Sequence, residues 1–183
     1  NKDYKLGRKP PRLNRQYDTT PEEQRENKIQ QQIRLISYLE QMPVVQLSAD
    51  GTEADDVIAW TVQTKFFDGW QKLILSNDKD FYQLCDDDTI IIRPTSKEII
   101  NKKRLIEESG IHPRNFGLAR SIVGDKSDNL VGVSRVGLAT VAKRFPFLKE
   151  AKDYTLEDVL SHARKNEAQV KAYASIAESK DLI

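Results

Sequence analysis

An α/β fold, with a parallel sheet flanked by helices and a helical C-terminal region, is predicted by three features of the sequence. Between residues 44 and 92, apolar runs of strand length alternate with amphipathic segments in the order strand, helix, strand, helix, strand. That order implies right-handed crossovers and a parallel sheet. After Ile99 the apolar residues follow helical spacing. Acidic clusters follow the first two strands, at the carboxyl edge where such sheets gather ligands.

The elements follow in chain order. Residues 1–21 are basic, rich in Pro and Arg and without periodicity, and read as a loop or arch. Thr20-Pro21-Glu22-Glu23 is a helix start, with a cap, a proline at the first helical position and acids in the first turn. Ile29, Ile33, Ile36 and Leu39 carry an apolar stripe to about Gln41, and Pro43 ends the helix. Val44-Val45-Gln46-Leu47 reads as a short buried strand. The next helix runs from Thr52, its expected cap, to about Phe67, with Ala54, Val57, Ile58, Thr61 and Val62 on one face. Lys72 to Ser76 is a strand that runs into Asn77-Asp78-Lys79-Asp80, Phe81 to Cys85 a short helix, and Thr89 to Ile92 a third strand. Ile99 to Ser109 and Pro113 to Val123 read as helices, separated by Gly110. Gly124 to Asn129 is a loop, and Leu130 to Gly137 leads into a helix from Leu138 to Phe145. Leu156, Val159, Leu160, Val170, Tyr173, Ala174 and Ile176 mark further helix after Pro146.

A length of 183 residues suffices for a real core. The expected division is an α/β part over 1–110, with the basic segment 1–21, and a helical part over 111–183. No apolar run approaches membrane-spanning length and no signal-peptide pattern opens the chain, so a cytoplasmic protein without a membrane partner is expected. A lone cysteine, Cys85, excludes an internal disulfide, fits a reducing compartment and reads as a buried, inert thiol. The net charge of +1 hides segregation. Lys2, Lys5, Arg8, Lys9, Arg12 and Arg15 face only Asp3 in the first 16 residues, while acids bunch at 50–56, 78–88 and 125–128. Acids for a metal and bases for a polyanion are what a phosphate-directed metalloenzyme needs; ordinary soluble surfaces can also look like this.

Glu53, Asp55, Asp56, Asp78, Asp80, Asp125 and Asp128 form the candidate metal set. Glu53 and Asp56 share a helix face. Acids in a first helical turn are common without any ion, and only the three clusters together give them a sharper meaning. So many carboxylates at one sheet edge call for counter-cations, and hard ions such as Mg²⁺ take oxygen ligands. The number suffices for two ions flanking a phosphodiester. With only His112 and His162 present, a zinc site is disfavoured. Gly132 and Gly137 allow close backbone approach ahead of a helix N-terminus, a possible phosphate site extended by Lys143 and Arg144. A plain packing hairpin has the same pattern.

Four blocks, spanning roughly residues 4–148, resemble the flap endonuclease and 5′-3′ exonuclease family, especially its phage and bacterial members with a PIN-like nuclease domain. Tyr4-Lys5-Leu6-Gly7-Arg8 is similar to that family's Tyr-Lys-x-x-Arg segment at the base of a helical arch. Glu53-Ala54-Asp55-Asp56 matches its Glu-Ala-Asp-Asp motif, and Ser76-Asn77-Asp78-Lys79-Asp80 its strand-end Asp-x-Asp. Gly124-Asp125, Ser127-Asp128-Asn129 and the stretch Gly132-Val133-Ser134-Arg135-Val136-Gly137 look like its last metal loop and helix–three-turn–helix clamp.

The resemblance implies a two-metal 5′ nuclease using Mg²⁺ or Mn²⁺. Glu53 and Asp56 would serve the first site, with Asp55 supporting. Asp80, Asp125 and Asp128 would serve the second, with Asp78 near both. Lys5 and Arg8 would meet the scissile or 5′ phosphate, and Arg120 lies where the family often carries a basic residue. Gly132, Val133, Ser134, Arg135, Val136 and Gly137, with Thr140 and Lys143, would grip duplex DNA, with a K⁺ held by carbonyls. The implied partners are DNA with a 5′ flap, nick or RNA primer and replication proteins, for a monomeric enzyme in the cytoplasm, or in the host cytoplasm if phage-encoded. Two departures stand out. Arg135 occupies a position where the family usually has Gly, and the family's opening strand, with its metal-binding Asp, and a second Asp before the Tyr-Lys block have no counterpart, so the chain is expected to lack an N-terminal portion. The alternatives are a non-catalytic duplex-binding fragment and an Asp-x-Asp phosphatase or phosphotransferase. The last explains neither the Glu-Ala-Asp-Asp block nor the hairpin.

Overall fold

The computed structural model describes residues 20–126, 128–166, 168 and 171–179. The chain divides into two compact units at Val57 and Ile58. In the smaller one, helix α1 (Pro21–Leu39) opens with a full capping box. The Glu23 amide donates to Thr20 Oγ1 at 3.3 Å, and the Thr20 amide to Glu23 Oε2 at 2.9 Å. None of its residues is buried, and Ile29, Ile33 and Ile36 are exposed. Val44 to Leu47 is not the expected buried strand: it carries no strand structure, and Val45 is 85% exposed. β-branched residues favour an extended chain, but a strand is made by a hydrogen-bonded neighbour, and no described strand pairs with this run. Helix α2 (Ala54–Gln63) starts later and ends earlier than expected. The Glu53 carbonyl receives the Val57 amide at 3.3 Å, so Glu53 and not Thr52 is its capping position. A short 3-10 turn at Lys65–Phe67 follows.

The larger unit holds the core. Strand β1 (Lys72–Leu75) pairs in parallel with β2 (Thr89–Arg93), with Ile74 opposite Ile91. Between them lies the 3-10 helix Lys79–Leu84, shorter and tighter than a true crossover helix. Strand β3 (Glu98–Ile100) then pairs antiparallel with β2. Ile99 and Ile100 were expected in a helix; Lys97, at φ 57°, folds the chain back instead, and the pair alternates exposed and buried as a strand requires. Helix α3 (Lys102–Ser109) begins beyond them, capped by Asn101, whose side-chain oxygen accepts from the Arg104 amide at 2.8 Å. The expected helix over 113–123 is a 3-10 turn (Pro113–Asn115) followed by α4 (Phe116–Val123). Strands β4 (Gly124–Asp125) and β5 (Leu130–Val131) form a small antiparallel ladder where a loop was expected. Helices α5 (Leu138–Arg144), α6 (Leu156–Asn166) and α7 (Lys171–Glu178) complete the unit, and Val170 lies outside the described residues.

Ile91, Ile100, Phe116, Ile122, Val141, Phe145, Leu148 and Leu160 are fully buried in one continuous cluster. Cys85 is buried within it, and burial, with the Asp86 charge adding to it, pushes its thiol up to about 12. The thiol is therefore protonated and inert, as expected.

The break between Pro113 and Phe116 has a cause in Asn115. Its buried amide donates to the carbonyls of Leu148, Glu150 and Lys152 at 3.1, 3.3 and 3.0 Å, and its oxygen accepts from the Tyr154 amide at 3.1 Å. One side chain thus folds the segment before α6 onto α4. Asn115→Ala strands those backbone groups, and unfolding free energy should fall by about 2–3 kcal/mol. Denaturant titration checks this; an unchanged midpoint would mean that the segment is held by apolar contacts alone.

Candidate metal centre

The end of β1 is shaped by its own polar side chains. Ser76 Oγ accepts from the Asp78 amide at 3.0 Å, and Asp78 Oδ1 accepts from the Asp80 amide at 3.0 Å. This pair of local turns starts the 3-10 helix and fixes where Asp80 leaves it. Asn77 ties the same corner to the turn between β2 and β3, donating to Thr95 Oγ1 at 2.8 Å.

Opposite it, α4 ends at Gly124, whose φ of 74° and ψ of 177° lie in a region open essentially to glycine. Gly124 pairs with Val131 and Asp125 with Leu130, so the chain reverses within a few residues and returns Asp128 beside Asp125. A ligand oxygen from each of Asp80, Asp125 and Asp128 lies within 4.8 Å of the others. Asp128 is buried, Asp125 half-buried and Asp80 exposed. Arg120 reaches in from α4: its Nε donates to Asp80 Oδ1 at 3.1 Å, and an Nη donates to Asp125 Oδ2. Asp80, Asp125 and Arg120 line a cleft of about 670 Å³, together with Gln83, Gly117 and Ser121. Three carboxylates against one guanidinium leave an excess of negative charge, and all-oxygen donors at this separation fit a hard divalent ion.

The other predicted residues are distributed as follows. Asp78 spends one carboxylate oxygen on the Asp80 amide and is not one of the three clustered acids. Glu53, Asp55 and Asp56 are exposed at the start of α2, in the smaller unit. Lys5, Arg8 and Ser127 lie outside the described residues.

Beyond β5 a turn closes from Val133 to Val136, with a bond of 3.1 Å from the Val136 amide to the Val133 carbonyl. Val133 and Val136 bury their side chains, so only their backbone can meet a ligand. Ser134, Arg135, Gly137 and Lys143 are exposed and Thr140 half-buried. The turn borders a groove of about 590 Å³ that Lys126 and Asn129 also line. At Gly137 the backbone faces open space, since a Cβ there would meet nothing within 4 Å. The close pair is Gly124 and Gly132: a Cβ on Gly132 would lie 2.0 Å from the Val123 carbonyl oxygen and 2.4 Å from the Gly124 nitrogen. Gly124 was legible only as a glycine directly after an apolar-periodic helix, a stop signal and not a functional one.

Arg135 sits at φ 62°, a left-handed conformation. That costs a residue with a Cβ about 1–2 kcal/mol, partly offset because glycine loses more chain entropy on folding. Arg135→Gly should therefore leave stability unchanged or raise it by up to about 1 kcal/mol, while lowering the salt slope of duplex binding by about one. Parallel denaturant and salt titrations check both, and a clear loss of stability would mean that the arginine side chain packs.

Among the described residues no helix is long and apolar enough to cross a membrane. A profile of the family described as 5′-3′ exonuclease, N-terminal resolvase-like domain, matches residues 1–110. The chain is 33% identical over 162 residues to a 5′-3′ exonuclease of Buchnera aphidicola, covering 82% of this chain and 55% of that protein. It is 36% identical over 108 residues to a 5′-3′ exonuclease of Aquifex aeolicus, covering 59% of this chain and 37% of that protein. A thermostable DNA polymerase I of Thermus thermophilus is 34% identical over 141 residues, covering 76% of this chain and 15% of the polymerase. The chain thus spans about half or less of the length of these relatives. In fold it is similar to the T5 D15 protein co-crystallised with metal ions, with a TM-score of 0.71 at 19% identity over 99% of this chain and 64% of that one. It is also similar to the T5 5′-exonuclease with bound divalent ions, with a TM-score of 0.68 at 19% identity over 90% of this chain and 59% of that one.

Proposed function

Since this chain belongs to the 5′-3′ exonuclease family, through its N-terminal resolvase-like domain, we propose that it is part of a metal-dependent, structure-specific 5′ nuclease. Its substrates are 5′-flapped, nicked or RNA-primed DNA met during replication, it acts in the cytoplasm, and it works as a monomer beside replication proteins. The observation that most supports this is the meeting of Asp80, Asp125 and Asp128, supplied by two separate stretches of chain. In this reading residues 1–110 form the nuclease-type part, and residues 111–183 form the helical part that grips duplex and adds Asp125 and Asp128 to the metal centre.

Asp80, Asp125 and Asp128 would hold one Mg²⁺ or Mn²⁺, and Glu53 and Asp56, with Asp55 beside them, would hold another. Bound there, such ions would supply Lewis acidity for phosphodiester hydrolysis. Asp78 orders the corner that presents Asp80. Lys5 and Arg8 draw in the 5′ phosphate, and Arg120 adds positive charge beside the acids. The turn from Gly132 to Gly137, its exposed Ser134 and Arg135, and Thr140 and Lys143 on α5 hold the phosphate backbone without reading sequence, and the turn's carbonyls would hold a K⁺. A 5′-labelled flap duplex should be shortened by the protein in Mg²⁺ and left intact in EDTA. Retention of the duplex without cleavage in Mg²⁺ would favour a non-catalytic duplex-binding role instead.

A further inference from the structure

We propose that Arg120 and the divalent ion compete for the carboxylates of Asp80 and Asp125, so that Arg120 sets the affinity of this site for metal. The proposal rests on the reading of Asp80, Asp125 and Asp128 as metal ligands, and concerns the residue that faces them. Arg120 is three-quarters buried and spans two of the three acids at once, through Nε to Asp80 Oδ1 at 3.1 Å and through an Nη to Asp125 Oδ2. Asp125 is as deeply placed as Arg120, so solvent screens that contact poorly.

Two roles are open to a guanidinium in this position, and charge decides between them. As an organiser it would hold the carboxylates ready and strengthen ion binding. As a counter-cation it already neutralises the oxygens that an ion needs. A dication a few ångströms from a fixed positive charge is repelled even at a high effective dielectric constant, and that penalty outweighs the ordering of two short aspartate side chains. The oxygens Arg120 occupies also belong to two of the three residues that can surround an ion. The guanidinium has somewhere to go, because the cleft of about 670 Å³ opens directly beside it, along Gln83, Gly117 and Ser121. Before metal binds, Arg120 offsets the repulsion between Asp80 and Asp125; once metal binds, it leaves them.

The test is calorimetric titration of the protein with Mn²⁺ at constant ionic strength, for wild type, Arg120→Gln and Arg120→Lys. Glutamine keeps an amide donor and removes the charge, whereas lysine keeps the charge and removes the fork. Competition predicts that Arg120→Gln binds the ion at least about tenfold more tightly, with Arg120→Lys close to wild type. Equal or weaker binding by a cooperatively folding Arg120→Gln would overturn the proposal. A second readout needs no variant. The hydrogen-bonded Nε–H resonance of Arg120 in wild type should shift during Mg²⁺ titration with the midpoint of ion binding, and an unmoved resonance at saturation would overturn it as well. If Mn²⁺ binds to none of the three proteins, the assignment of the acids as ligands fails and the competition with it. If it binds to all three alike, the competition alone fails.

Discussion

Asp125→Asn should lower single-turnover cleavage of a 5′-flap duplex by about a thousandfold or more, while the protein still folds and still binds duplex. Asp125 lies in the ladder between β4 and β5, with its backbone fixed opposite Leu130, so the amide replaces the carboxylate in the same place. What is lost is one full ligand charge beside Asp80 and Asp128. Metal-derived stabilisation of a phosphodiester transition state is worth several kcal/mol, and each 1.36 kcal/mol is about tenfold in rate. Stability should change little, because the carbonyl oxygen of the substituted amide can still accept from Arg120, which also keeps its contact to Asp80. Phosphate contacts elsewhere supply the affinity for duplex. Cleavage at the wild-type rate by a folded Asp125→Asn protein would remove this residue from the reaction.

Gly132→Ala should be the most destabilising small substitution in the larger unit, costing about 3–5 kcal/mol. A Cβ at Gly132 would meet the Val123 carbonyl oxygen and carbon at 2.0 and 2.1 Å, both of them backbone atoms that cannot rotate away. Its counterpart has the same difficulty, since a Cβ at Gly124 would lie 2.3 Å from the Gly132 nitrogen. Two strands of backbone touch here with no room for a side chain on either. Relief requires prising β5 from β4, and that motion carries Asp125 and Asp128 away from Asp80. The variant should therefore lose metal affinity together with stability, which separates it from an ordinary packing defect. Thermal melts with and without Mn²⁺ check both effects. A melting temperature within about 2 °C of wild type, still raised by the ion, would show that the two backbones can part without cost.

The parts of this fold that were legible in the sequence are those decided by local chemistry. Thr20 to Glu23 has the full pattern of a capped helix start, and the helix begins there. The runs at Lys72 and Thr89 pair in parallel, because each has a partner to pair with. Val44 to Leu47 shows the limit: its composition is that of a strand, but strand structure belongs to a pair of segments and not to one. Ile99 and Ile100 show another, since helix and strand periods cannot be told apart over two residues, and the reversal at Lys97 decided the matter. In the site, Asp80, Asp125 and Asp128 could be nominated from their strand-end and loop positions. The bridging of Asp80 and Asp125 by Arg120 depends on the angle at which α4 approaches the sheet, which no local pattern encodes. The pairing of Gly124 with Gly132 was hidden because their neighbours in sequence suggest a helix stop and a loop, not two backbones in contact.

As a metal centre that cuts DNA from its 5′ end, Asp80, Asp125 and Asp128 should hold an ion at the scissile phosphodiester. Anomalous diffraction from crystals of the protein grown with Mn²⁺ and a 5′-flap duplex tests it most directly. A Mn²⁺ peak should lie among the three carboxylates with a phosphodiester of the flap junction at the ion. A peak that lies elsewhere while these acids remain paired only with Arg120, or a duplex bound with its junction far from them, would contradict it.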